Sequence, residues 1–232
     1  MYTLLSIPFL FAIIPSIFLV RYFYLQDINK PEPIRLIVKV FFMGILCTIP
    51  VIILETIISI IIKPLAYDEA IFSLLQAFVV AGLCEESMKL AVVLFFIYNN
   101  KHFDEIMDGI VYTIVASLGF ACLENIMYVS EGGLFVALIR SFTAVPLHAF
   151  CSGIMGYYIG KSKFSDEKKY YILKGLFMAI FIHGCYNFVL FAGGIYSFII
   201  FPILLSSYKK LKFYIKSAIE EDLKNFSTST PS

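Results

Sequence analysis

The chain has 232 residues, a formal net charge of +1, 60% hydrophobic residues and only 15% charged ones, with a mean hydropathy of +0.87. A soluble domain sits nearer half apolar and a quarter charged, so this composition excludes an ordinary soluble globular fold. The near-neutral charge balance gives no sign of a nucleic-acid partner.

The apolar residues form runs of about 20, the length that crosses about 30 Å of hydrocarbon as a helix. Lipid satisfies no backbone polar groups, and period-2 alternation is absent, so the spanning elements are predicted to be helices. In chain order they cover about 2–25, 34–62, 70–98, 106–129, 134–159, 170–192 and 195–208. A polar loop containing Pro31-Glu32-Pro33 follows the first, Asn99 to Glu105 connect the third to the fourth, and Ser130-Glu131-Gly132-Gly133 stops the fourth. Gly193-Gly194 turns the chain into a short seventh run. No internal repeat is visible. The expectation is an all-α, polytopic transmembrane bundle of about seven spans, with residues 1–208 as the membrane domain and 209–232 as a basic tail.

Loop charge orients the bundle. Lys30, Arg35, Lys39, Lys101, Lys161, Lys163, Lys168, Lys169 and the lysines after residue 208 fall on one side of a seven-span arrangement, and the opposite loops hold Lys63 alone. The positive-inside rule then puts the N-terminus outside and the C-terminus in the cytoplasm. Cys47, Cys84, Cys122, Cys151 and Cys185 all lie within predicted spans, which argues for packing rather than a disulfide framework.

Charged groups at bilayer depth cost about 2.5–3.5 kcal/mol each on insertion scales, so they are functional candidates. The third run carries Glu85, Glu86 and Lys89, the fourth Glu124, Asn125 and Tyr128, the fifth Arg140 and His148, and the sixth His183 and Asn187. Each has a bland reading: one buried histidine is more often a packing residue, and Glu85-Glu86-x-x-Lys89 could be a structural ion pair. Glu55 reads as an orphan acid that snorkels. Four runs each carrying a costly polar group are harder to dismiss. Carboxylate and imidazole donors together suit a divalent metal such as zinc with an open position for water. Adjacent glutamates point about 100° apart on a helix and can divide the work of base and ligand. Arg140 and Asn187 are candidates for orienting substrate, with Lys89, Asn125 and Tyr128 in support. A proton-coupled transporter using the same Glu/His set as a relay is the alternative reading.

At Glu85-Glu86-Ser87-Met88-Lys89, Gly119 to Tyr128, Arg140 to His148 and His183-Gly184-Cys185-Tyr186-Asn187-Phe188, the sequence resembles the PrsW family of polytopic membrane proteases. The resemblance implies site-1 cleavage of a single-span, membrane-anchored anti-sigma factor, with Glu85, Glu86 and His183 essential and His148 in the same site. On this reading Glu85, Glu86, His148 and His183 are catalytic, and His148, His183 and Glu124 hold the metal. Glu85-Glu86 followed by Lys89 departs from the Glu-Glu-x-x-x-Arg form of the wider CAAX-protease group, which weighs against prenyl-protein processing.

Overall fold

The computed structural model describes residues 2–229, with side chains for 7–227. Residues 230–232 of the expected tail lie outside the described residues. The elements are α1 (Tyr2–Tyr24), α2 (Ile34–Ile62), α3 (Glu69–Leu75), α4 (Cys84–Phe96), α5 (Ile106–Phe142), α6 (Ala144–Lys163), α7 (Lys168–Ala192) and α8 (Ile200–Ser229), with no strand among the described residues. A π-helical segment, Gln76–Leu83, joins α3 to α4, and a 3₁₀ turn, Gly194–Ile199, leads into α8.

The centre is a hairpin of α5 and α6. Gly133 sits at φ +68°, a left-handed conformation that suits glycine, and turns the chain back inside α5. Gly109 meets Gly156, Ser117 meets His148 and Asn125 meets Arg140, pairs whose numbers have one common sum, as an antiparallel hairpin requires. The arms agree with the predicted fourth and fifth runs. The helix breaks again at Thr143 (φ −124°, ψ −70°), just before Pro146, whose ring would collide with the Phe142 carbonyl in an unbroken helix. The hairpin is flanked by α1 and α2 against α5, and by α7 and α8 against α6.

This bundle is apolar outside as well as within. Phe18, Ile53, Ile60, Phe142 and Phe177 are among the large side chains left exposed, while Glu85, Glu86, Lys89, His148 and His183 are buried. Such a surface suits hydrocarbon rather than water. Four helical stretches are long and apolar enough to cross a membrane: Ile7–Tyr24, Ile34–Leu65, Ile106–Lys163, which is the hairpin, and Lys168–Ala192.

Close helix contact depends on small residues. A Cβ placed on Gly156 would lie 2.3 Å from the Gly109 carbonyl oxygen and 2.8 Å from Ile110 Cα, both rigid backbone. Overpacking of this kind costs about 1–3 kcal/mol. Gly156→Leu is therefore expected to lower the thermal unfolding midpoint in detergent by several degrees, and a wild-type midpoint would contradict this close approach.

The last predicted run opens in the 3₁₀ turn and passes into α8, which carries on through residue 208 into the basic segment without a break. Leu211, Tyr214, Ile215 and Ala218 are buried in the main core. Tyr214 shares a 2.6 Å hydrogen bond with Tyr158, and Glu221 accepts from Tyr157 at 2.8 Å. The Asp222 carboxylate accepts from the N–H groups of Ile106 and Met107 at 2.8 and 3.0 Å. It thereby caps α5 with a side chain from 115 residues further along.

Candidate active site and metal centre

The first two turns of α4 present Glu85, Glu86 and Lys89. The π segment just before it widens the helical turn, so α4 does not continue the faces of α3 in α-helical phase. Helix α7 packs on this wide turn, with Gly184 against the Phe78 ring, and that brings His183 to Glu86. His148 stands in the second turn of α6, after the Thr143 break, where Ser117 of the facing arm holds its carbonyl at 2.9 Å.

These side chains converge. Lys89 Nζ donates to Glu86 Oε1 at 2.8 Å and Glu85 Oε2 at 3.0 Å, and lies 2.9 Å from His148 Nδ1. It also rests 4.4 Å from the Phe120 ring centroid. An ammonium is a donor only, so the His148 Nδ1 beside it is the bare, accepting nitrogen. His148 Nε2 then carries the proton and donates to Glu124 Oε2 at 2.9 Å. Glu124 in turn forms a 3.0 Å ion pair with Arg140, whose Nε donates to Asn125 Oδ1 at 2.9 Å and whose guanidinium stacks 3.9 Å from the Tyr128 ring centroid. On the other side His183 Nδ1 lies 2.9 Å from Glu86 Oε1, and Ser152 donates to Glu86 Oε2 at 2.8 Å. Acting as donor there, His183 keeps Nε2 bare, 3.9 Å from Glu85 Oε1.

Glu85, Glu86, His148 and His183 each offer one ligand atom, all within 4.8 Å of one another. The donor chemistry fits a borderline divalent ion: two imidazoles and two carboxylates, each imidazole oriented by a carboxylate on its other nitrogen, as in carboxylate–histidine–zinc sites. Glu124, one of the three expected ligands, stands outside this group and grips His148 from behind. Three carboxylates face Lys89 and Arg140, so with neutral imidazoles the fixed charge is one unit negative, which favours a cation.

A cavity of about 570 Å³ opens onto the group. Glu85, Glu124, Arg140, His148, His183 and Asn187 reach its wall, and Glu86 does not. The expected site residues thus gather at one place. Glu55 also lines this cavity, so it is no isolated lipid-facing acid. Sequence reading missed Ser117 and Ser152, although Ser152 follows His148 by one helical turn and that spacing was available.

A buried carboxylate–imidazole centre, inside a helical bundle with a lipid-compatible surface and open to a cleft, defines a membrane-embedded hydrolytic protein. Residues 32–207 match the family described as PrsW family intramembrane metalloprotease, and the chain belongs to that family. It is 38% identical over 185 residues to Protease PrsW of Geobacillus kaustophilus, covering 78% of each chain. It is 36% identical over 215 residues to Protease PrsW of Oceanobacillus iheyensis, covering 92% of this chain and 97% of the relative. The corresponding figures for Protease PrsW of Bacillus subtilis are 34% over 196 residues, 84% and 87%. No solved structure matches the chain. The protein is accordingly a membrane-embedded peptidase of a metal-dependent family, and these relationships favour the protease over the transporter reading.

Proposed function

We propose that this protein is a zinc-dependent endopeptidase of the bacterial cell membrane that makes the first cut in a single-span anti-sigma factor. The observation that carries this reading is that Glu85, His148 and His183 line one cavity, with a carboxylate held on one nitrogen of each ring. The ion would lie beside Glu85, His148 and His183, with Glu86 behind them as the partner of His183. Once bound, zinc polarises a peptide carbonyl and lowers the pKa of water.

The chain's own groups supply the rest. Glu85 reaches the cavity and both bare nitrogens, so it is the carboxylate that takes a proton from the attacking water and returns it to the leaving amine. Glu86 has no route to the cavity and orients His183 while holding Lys89. Asn187 and Arg140 line the same cavity and present N–H donors for the carbonyl oxygen as charge develops on it. The basic loops support an N-out orientation, which sets the cavity between the midplane and the outer face.

Co-reconstitution with a single-span anti-sigma factor tests this. Cleavage should stop with 1,10-phenanthroline and return on adding zinc. Cleavage indifferent to a strong zinc chelator would overturn the metal-dependent reading, and loss of cleavage for that substrate alone would overturn the choice of substrate.

A further inference from the structure

The other end of the hairpin holds a second group of acids that the peptidase chemistry does not use. Asp108 lies sixteen residues before Glu124 on the same arm, about 24 Å away along the helix. One carboxylate oxygen each from Asp27, Glu32 and Asp108 lies within 4.8 Å of the others. Asp27 and Glu32 are 3% exposed and Asp108 is fully buried.

Their partners are incomplete. Asp108 Oδ2 accepts from the backbone N–H groups of Asp104 and Glu105, both at 2.7 Å, but Oδ1 has no hydrogen-bond partner. Asp27 Oδ2 has none either. Glu32 Oε2 accepts from the Tyr112 hydroxyl, and the Glu32 carbonyl accepts from Tyr24 at 3.1 Å, so the loop after α1 is held firmly over the start of α5. Lys30, the only lysine of that loop, is committed to Asp104 in a half-exposed ion pair. Buried carboxylate oxygens left without a donor, in a cluster of acids, call for a cation or a proton beside them. Asp27 Oδ2 and Asp108 Oδ1, buried and without a partner, are an observation separate from the count of acids.

We propose that Asp27, Glu32 and Asp108 form a second cation site, separate from the active site, which takes Mg²⁺ or Ca²⁺ and ties the α1–α2 loop to the start of α5. The ligand atoms are all carboxylate oxygens, with no imidazole or thiolate among them, and that donor set suits hard ions rather than zinc. Asp222 of α8 caps the same first turn of α5, so the bound ion would steady the point where three parts of the chain meet.

The rival is a proton shared among the acids, since burial pushes the Asp27 carboxyl up to about 7. Metal binding to chelator-stripped full-length protein separates the two. The His148→Ala/His183→Ala variant removes the active-site donors, and zinc-loaded wild type serves if that variant does not fold. Calorimetric titration with MgCl₂ and with CaCl₂ should show one ion per chain for at least one of them, with a rise in the unfolding midpoint. Adding Asp27→Asn and Asp108→Asn should weaken that binding at least tenfold. Glu32→Gln, which keeps an acceptor for Tyr112, should weaken it too and guards against misfolding of the double variant. Saturable binding unchanged by all of these substitutions would overturn the proposal. So would absence of binding by either ion up to about 10 mM, above the range of weak calcium modules; a midpoint that then rises only on acidification would assign the cluster to a shared proton.

Discussion

Replacing Lys89 with methionine is expected to be the most destabilising single change in the bundle, at about 3–5 kcal/mol, the usual cost of orphaning a buried charge. Lys89 is fully buried, and its ammonium bridges Glu85, Glu86 and His148. Methionine fills much of the volume but leaves two adjacent carboxylates without their cation. At about 2–4 °C per kcal/mol the unfolding midpoint should fall by roughly 6–20 °C. If orphaned charge is the cause, Lys89→Met combined with Glu86→Gln should recover part of the loss, because the second change removes one of the stranded charges. A single variant within about 1 kcal/mol of wild type would show that Lys89 is not what balances the glutamates.

The second large effect separates the cavity-facing glutamate from the one behind His148. Glu85→Gln is expected to leave a folded protein whose cleavage falls at least about 100-fold, the scale of losing a general base, and added zinc should not restore it. Glu124→Gln should instead weaken metal binding about 10–100-fold, because it loosens the anchor on His148 Nε2 without removing a donor facing the ion. Its activity should recover at high zinc. Metal analysis of the purified variants beside a zinc-dependent cleavage assay reads both effects. Recovery of Glu85→Gln by zinc, or failure of Glu124→Gln to recover, would reverse the assigned roles.

Much of the candidate site was legible beforehand because lipid makes polar groups conspicuous. Glu85, Glu86, His148 and His183 stood in apolar runs where a charge has no solvent, and the structure places all four within reach of one ion. The break before His148 was signalled by Pro146. That Glu124 lies on His148 Nε2 rather than among the other donors was not legible, since it depends on which imidazole nitrogen the carboxylate faces. Glu55 was misjudged for a related reason: whether an acid faces lipid or a cleft depends on helix rotation.

The sequence by itself determined that the chain is an apolar all-α bundle with its ionisable groups turned inward, because span length and the cost of buried charge are local properties that each run carries alone. Tertiary structure decided what the register between helices decides. The π segment before Glu85 resets the face of α4, the Gly133 turn sets Ser117 against His148, and the fold carries Asp222 back to cap α5. The meeting of Asp27, Glu32 and Asp108 belongs to the same class. In the sequence Asp27 and Glu32 fall in the polar loop after the first run and Asp108 at the start of the fourth, and only packing of the α1–α2 loop onto α5 brings the three together out of water.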